Sequence, residues 1–337
     1  MKFNALRLYR EGETRVSRMV EQTLDDLDAG EVVIRAQYAA VNYKDARAVS
    51  GAGNVVKRFP CVPGIEVSGT VVSSTSPVWR EGDAVTVQGG QEFGIRHDGA
   101  YAEFVRVPAA WVARIPDGFD AYDAVALGIG AYTSAVAVEE LIRRGVTPDK
   151  GPIAVTGATG GCSSFAIDML AALGYTVVAS TGKAGETAYL RSLGAAEVIG
   201  RDAIATSDKP LDEQRWAGAI DAVGGKPLAA LLRTMKKGGV VCSFGNAAGE
   251  TFTSSIYPFI LRSVSLAGIN ANHPVATRGS AWTRMARGGD LRPRHLDRIC
   301  FDIPFARLRE YCDEVVAGTV RGRGRGVVRF GDPFRAS

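Results

Sequence analysis

The spacing of apolar residues changes rhythm along the chain. Up to about residue 124, short runs of β-branched and aromatic residues alternate with Gly, Pro and Asp, which predicts strands at 3–8, 31–38, 69–73, 84–88 and 102–107. Beyond that point the apolar runs at 152–155, 176–179, 197–199, 217–220, 240–244 and 265–269 do not alternate. Strands of that kind are buried on both faces, as in a parallel sheet. Helix-length segments at 164–173, 187–193 and 227–235 separate them. Six strands joined by crossovers predict a doubly wound α/β sheet. The last seventy or so residues lose this rhythm, and 326–330 reads as a closing strand. The expected organisation is a mostly β unit over 1–124, an inserted α/β unit over 125–265, and a return to the first unit over 266–337.

A length of 337 residues suits two cores, and a composition 46% hydrophobic and 23% charged is that of a globular protein. The net charge of +4 comes without long runs of one sign, so nothing calls for a nucleic-acid partner, while a polyanionic cofactor or substrate would suit the surface. Five scattered cysteines, with no Cys-x-x-Cys pair, argue against a disulfide framework or structural zinc and fit a reducing compartment. No signal-like stretch opens the sequence and no run of eighteen apolar residues occurs, so the expectation is a cytoplasmic chain with no membrane partner.

The candidate chemistry begins at Val155-Thr156-Gly157-Ala158-Thr159-Gly160-Gly161-Cys162-Ser163-Ser164, directly after a predicted strand and opening a predicted helix. Glycines at such a turn let the backbone approach a pyrophosphate, whose charge is met by unpaired N–H groups and the helix dipole. A glycine turn alone is a weak signal, and the strand–loop–helix–strand order is what strengthens it. Ser163 stands where the usual fingerprint has its last glycine. The second strand of this unit runs into Ser180-Thr181-Gly182-Lys183, with no Asp or Glu to accept from a ribose 2′-OH. Hydroxyls, bare backbone and a cation suit a 2′-phosphate instead, which predicts NADPH. Arg201, after the third strand, offers a second charge; the plainer reading of Lys183 is a solvated loop lysine.

These segments resemble the medium-chain dehydrogenase/reductase superfamily, and within it the acrylyl-CoA reductase family of zinc-free, quinone-oxidoreductase-like proteins. The resemblance rests on Val41-Asn42-Tyr43-Lys44-Asp45, Pro63-Gly64-Ile65-Glu66-Val67-Ser68-Gly69-Thr70, Gly99-Ala100-Tyr101-Ala102-Glu103, Tyr189-Leu190-Arg191-Ser192-Leu193-Gly194-Ala195, Trp216-Ala217-Gly218-Ala219-Ile220-Asp221 and Pro258-Phe259-Ile260-Leu261-Arg262. It covers essentially the whole chain. It implies a GroES-like mostly β catalytic domain with a six-stranded Rossmann domain, and a cytosolic homo-oligomer, often a dimer. Zinc members of the superfamily carry Gly-His-Glu where this chain has Gly64-Ile65-Glu66, and the three histidines, His97, His273 and His295, show no ligand spacing. No metal is expected, and Glu66 reads as structural or as a polar group beneath the cleft.

Carried across motif by motif, the resemblance implies that Tyr43 faces the nicotinamide. Thr159, Gly160, Gly161 and Cys162 would cradle the pyrophosphate, and Thr181, Gly182, Lys183 and Arg201 the adenosine phosphate. Asp221, Ala222, Leu266 and Arg325 complete the expected cofactor contacts, with Arg323 as an alternative to Arg325 in the Arg-Gly tract 321–326. Asn42, Tyr43, Lys44 and Asp45 are the catalytic candidates. Asn42, Tyr43 or Lys44 would donate to a developing oxyanion; Tyr43 is otherwise a cleft-wall aromatic, and Asp45 either orients Lys44 or caps a turn or helix. The implied reaction is NADPH-dependent reduction of a short enoyl-CoA, acryloyl-CoA first. Quinone or enone reduction is a second reading, and a non-catalytic NADPH-binding protein is a third. Ile129 departs from the family, which places Thr there near the nicotinamide.

Overall fold

The computed structural model describes residues 1–90, 92–204, 209–273, 275, 278–320 and 324–331. The chain opens with a hairpin of β1 (Phe3–Glu11) and β2 (Thr14–Gln22), followed by β3 (Val32–Ala40), α1 (Tyr43–Val49), β4 (Glu66–Ser74), β5 (Ala84–Gln88), β6 (Phe104–Val107) and β7 (Ala113–Arg114). Helices α2 (Ala121–Ala126) and α3 (Gly128–Arg143) lead to β8 (Ile153–Val155), α4 (Gly161–Ala172), β9 (Val177–Thr181), α5 (Thr187–Ser192) and β10 (Glu197–Gly200). Then come β11 (Trp216–Asp221), α6 (Gly225–Thr234), β12 (Met235–Ser243), α7 (Tyr257–Arg262), β13 (Ser265–Gly268), α8 (Gly279–Arg284), α9 (Leu296–Ile299), β14 (Cys300–Pro304), α10 (Leu308–Ala317) and β15 (Arg325–Arg329).

Six parallel strands form one sheet in the order β10-β9-β8-β11-β12-β13. The order reverses between β8 and β11, and a crevice opens at the carboxyl ends of the strands at such a switch point. All six match the non-alternating apolar runs of the sequence. A second sheet runs β14-β15-β3-β4-β5-β7, with β6 also paired to β3. Here β3 is antiparallel to both neighbours, pairing Val327 with Ala40 and Val67 with Ala39. The end of β3 therefore lies beside the starts of β4 and β15. Glu66, Arg325 and the residues just past Ala40 come together at one end of these central strands, facing α3.

Two expectations differ from the structure. Strand β2 is unmarked in the sequence because Arg15, Arg18 and Glu21 interrupt its apolar residues; Thr14, Arg18, Met19 and Glu21 are exposed, and among the described residues it pairs with β1 alone. The return to the first sheet also comes later than residue 266. Residues 265–268 still belong to the parallel sheet, and α8 packs on α3. Trp282, Met285 and Leu291 join the apolar core of α3 and α4, so this segment closes the α/β unit before β14 pairs with β15. The same segment carries a clasp between the two sheets. Arg278 is only 2% exposed, donates to Gln88 Oε1 at 2.6 Å, and lies 4.7 and 4.8 Å from the ring centroids of Tyr132 and Trp282. Asn272 donates to the Gly90 carbonyl beside it at 3.0 Å.

Candidate functional site

At the end where β3, β4 and β15 meet α3, polar groups are buried together. Glu66 is 0% and Arg325 3% exposed, and Arg325 Nη2 donates to Glu66 Oε1 at 2.9 Å and to the Val125 carbonyl at 2.7 Å. Arg325 Nη1 donates to Asn42 Oδ1 at 3.0 Å. The Asn42 amide nitrogen donates to Glu66 Oε1 at 2.6 Å and to Asp45 Oδ2 at 2.9 Å. Glu66 Oε2 accepts the Ile129 backbone N–H at 2.8 Å, which sets a carboxylate at the positive end of α3. Two glycines make the room: a Cβ on Gly128 would stand 1.8 Å from Glu66 Oε2, and one on Gly130 2.7 Å from Arg325 Nη1. Burial pushes the Asp45 carboxyl up to about 6, against the hydrogen bonds from Asn42.

Above this floor lies a cleft of about 650 Å³, walled on one side by Tyr43, Lys44 and Arg47 of α1 and on the other by Thr159, Gly160, Gly161 and Cys162. Ala222, Lys183, Ile129, Thr133 and Asn270 also line it. The glycine turn is fixed by its own chemistry. Gly157 has a φ of 57°, and a Cβ on Gly161 would meet the Gly324 carbonyl oxygen at 2.8 Å. Ser163 is absorbed without displacement, because its hydroxyl donates to the Thr156 carbonyl at 2.8 Å. The Cys162 thiol is pushed up to about 11 by burial, which keeps it protonated and a poor nucleophile near neutral pH. Thr181, Gly182 and Arg201 line an adjoining cavity of about 310 Å³. Arg201 lies so close over Gly182 that a Cβ there would be 2.0 Å from its Nη2. Lys183 donates from Nζ to the Val320 carbonyl at 2.6 Å, and burial lowers its pKa.

Several expected site residues stand elsewhere. Asp221 is fully buried and outside the cleft: it accepts from Thr156 Oγ1 at 2.7 Å and from the Gly224 N–H and Ser243 Oγ, each at 3.0 Å. It thus ties the ends of β8, β11 and β12 together. Leu266 lies in the edge strand β13, 36% exposed, and the crevice takes Ile269, Asn270 and Ala271 at the strand's carboxyl end instead. Arg325 borders the cleft floor with its terminal nitrogens committed to Glu66, Asn42 and Val125, while Arg323 falls outside the described residues. Asn42 has both amide donors engaged, so it is no free donor for a substrate. Asp45 takes the capping role, accepting the Asn42 backbone N–H at 3.0 Å. Tyr43 remains 45% exposed at the cleft wall.

Sequence reasoning missed Arg47 and Thr133. Thr133 follows Ile129 by one helical turn and its hydroxyl donates to the Ile129 carbonyl at 2.6 Å, so a hydroxyl still reaches this part of the cleft. Helical spacing from Ile129 was the available signal. Ile65 lines the cleft where zinc relatives carry histidine, and among the described residues no three His, Cys, Asp or Glu converge as a metal site would require.

The buried pair yields a stability prediction. Glu66→Gln leaves the Arg325 charge uncompensated in the interior and should cost about 3–5 kcal/mol in denaturant unfolding. The double variant Glu66→Leu with Arg325→Met should cost clearly less than the two single changes added together. Additivity of the two would show that the charges do not act as a pair.

Residues 28–117 match the family model of the alcohol dehydrogenase GroES-like domain, and residues 161–287 that of zinc-binding dehydrogenases. The chain is 39% identical over 325 residues to the acrylyl-CoA reductase AcuI of Ruegeria pomeroyi, covering 95% of this chain and 98% of that protein. It is also 39% identical to the putative quinone oxidoreductase YhfP of Bacillus subtilis, over 87% and 89% of the two chains. The structure of YhfP with NAD bound superposes with a TM-score of 0.90, covering 98% of this chain and 99% of that one. The yhdH oxidoreductase from Salmonella enterica in complex with NADP, 35% identical, gives the same TM-score over 98% and 100%. The chain belongs to the medium-chain dehydrogenase/reductase superfamily and, within it, to the acrylyl-CoA reductase family.

Proposed function

We propose that this chain reduces the C=C bond of a short α,β-unsaturated acyl-CoA with NADPH, converting acryloyl-CoA to propanoyl-CoA. The observation that carries this reading is one cleft joining the glycine turn before α4 to the Tyr43 wall, over a floor where the Asn42 amide and the terminal nitrogens of Arg325 are already paired. Backbone N–H groups of Gly161 and Cys162, unpaired at the start of twelve-residue α4, would meet the pyrophosphate. Lys183 and Arg201, with Thr181 and bare Gly182 between them, would meet the 2′-phosphate; Lys183 holds only one carbonyl and keeps donors to spare.

When bound, NADPH supplies a hydride to the β-carbon. The π pair then moves onto the thioester oxygen as an enolate, and a proton from water or Tyr43 completes the α-carbon. The protein's part is to hold donor and acceptor in reach, at about 3–3.5 Å, and to stabilise the oxyanion. With Asn42 committed, the Tyr43 hydroxyl is the candidate donor, and one such bond is typically worth roughly 3–4 kcal/mol. Lys44 is exposed at the cleft mouth and suits recognition of charge better than of an enolate.

Steady-state NADPH oxidation with acryloyl-CoA, crotonyl-CoA and a quinone tests the assignment, and kcat/KM should be highest for acryloyl-CoA. Preference for the quinone would move the reading to quinone or enone reduction. Saturable NADPH binding with no turnover on any of the three would leave a non-catalytic binder. For the cofactor, Lys183→Asp should raise the KM for NADPH more than tenfold, since removing one partner of a buried charge pair costs about 2–5 kcal/mol, with a smaller effect on NADH. An equal effect on both cofactors would contradict the 2′-phosphate role.

The same chain is proposed to form a homodimer through β13. This strand ends the parallel sheet, and Leu266 on it, with Ile256, Tyr257, Ile260 and Leu261 near α7, is exposed between 36% and 63%. An unpaired edge beside exposed apolar side chains favours pairing with a second copy. Sedimentation at micromolar concentration should show a dimer that Leu261→Glu weakens; a wild-type monomer there would refute the pairing.

A further inference from the structure

The cleft has an unequal charge distribution that the dinucleotide does not account for. Among the described residues its lining contains Lys44, Arg47, Lys183 and Arg325 and no Asp or Glu. Arg325 is neutralised from below by Glu66. Lys183 stands past the glycine turn, at the end assigned to the adenosine phosphate. That leaves Lys44 and Arg47, three residues apart on α1 and so neighbours on one helix face. Neither has a carboxylate within ion-pair distance among the described residues. On the cofactor placement proposed above, the dinucleotide's anionic groups would be met at the start of α4 and at Lys183 with Arg201, which leaves this wall unused.

Arg47 is also held in place more firmly than a loose surface cation. Its stem crosses Gly53, where a Cβ would come within 3.2 Å of Arg47 Nε. One terminal nitrogen donates to the Ala52 carbonyl at a long 3.3 Å. The turn under it is tied down by Arg15, which donates to the Gly53 carbonyl and to Asn54 Oδ1 at 3.1 Å. The guanidinium therefore keeps most of its donors while its position is fixed from behind. Val55 and Ile65 on the same wall are apolar and suit an extended, uncharged arm.

We propose that Lys44 and Arg47 form the subsite for the phosphates of the substrate's CoA portion, an inference that rests on the acyl-CoA reading above. A thioester substrate brings a second polyanion into the cleft, in the form of a pyrophosphate and a 3′-phosphomonoester. A cation pair on an acid-free wall attracts either group, and a planar guanidinium can bind two phosphate oxygens at once. The thioester end would reach the Tyr43 wall while the charged end stays at the mouth beside α1. An uncharged quinone would gain nothing from this pair, so the subsite selects among electrophiles as well as binding one of them.

The test compares acryloyl-CoA, acryloyl-dephospho-CoA and acryloyl-pantetheine at saturating NADPH, in wild type, Arg47→Gln and the Lys44→Gln/Arg47→Gln double variant. Wild type should favour the CoA ester over the pantetheine ester in kcat/KM. That ratio should fall about tenfold in Arg47→Gln and further in the double variant, chiefly through KM, and the preference should weaken at high salt. The dephospho ester separates the two phosphate sources. A ratio lost with the 3′-phosphate points to the monoester, and one kept points to the pyrophosphate. An unchanged ratio in both variants would overturn the subsite while leaving the reductase reading intact. Should wild type turn over no thioester, titration calorimetry of free CoA into the NADPH-loaded protein decides. Binding that weakens in Arg47→Gln supports the subsite, and absent or unaffected binding refutes it. Thermal unfolding of each variant checks that the fold is retained.

Discussion

The arrangement of this protein depends on one buried ion pair. Arg325 begins β15, Glu66 begins β4, and β3 lies between them, so their meeting fixes three strands of one sheet against α3 of the other unit. Bringing both charges out of water costs several kcal/mol per ion, and their attraction alone does not reliably offset it. Here the remaining hydrogen-bonding capacity is filled by Asn42, the Val125 carbonyl and the Ile129 N–H. Only Arg325 Nε is left without a partner. The pair therefore acts less as a source of stability than as a register mark. Any other offset between these strand ends and α3 would strand a charge in the interior, and Gly128 and Gly130 follow as requirements of that fit.

A division of charge follows from the same floor. The acids lie beneath the cleft: Glu66 is spent on Arg325, and Asp45 is buried in the first turn of α1, where burial pushes its carboxyl up to about 6. The cations stand above, on α1 and beyond the glycine turn. A cleft of low dielectric lined by one sign of charge concentrates ligands of the opposite sign. Both the cofactor and the proposed substrate are polyanions, and on the proposed reading both would bring their reactive end towards the least charged part of the cleft, near Tyr43, Ile129 and Thr133. Selection by charge at the two ends and reaction on uncharged surface in the middle are consistent uses of one cavity.

How much of this was legible in the sequence depended on whether a residue's role is local. The six parallel strands were readable because burial on both faces removes alternation, and the glycine turn because strand, loop and helix are contiguous. Strand β2 was not readable, since a hairpin with one exposed face tolerates Arg15 and Arg18. Lys183 and Arg201 could be singled out because each closely follows a strand end, and both line cavities beside the glycine turn. Asp221 and Arg325 read as cofactor contacts from their position in motifs, whereas Asp221 accepts from Thr156, 65 positions away, and Arg325 donates to Glu66, 259 positions away. No spacing rule discloses such pairings. The same holds for Asn42, whose amide looks free in the sequence and is consumed by Glu66, Asp45 and Arg325 once these strand ends come together.

The two departures from the family pattern resolve differently, and the difference is physical. Ser163 sits where close packing of helix and strand usually demands glycine, yet it is 1% exposed and its hydroxyl is satisfied by the Thr156 carbonyl. The loop thereby gains a hydrogen bond across its own mouth, and the change is absorbed locally. Ile129 gives the floor only its backbone N–H, a contribution any residue but proline would make, while its side chain turns part of the cleft wall apolar. The nearest hydroxyl in that helix is one turn later, on Thr133, and it is already donating to the Ile129 carbonyl. A hydroxyl held in that way presents its lone pairs, rather than its proton, to the cleft. On the proposed reaction, polarisation of a substrate carbonyl would then fall to Tyr43, and the exposed wall of α1 would be the chemically decisive side of the site.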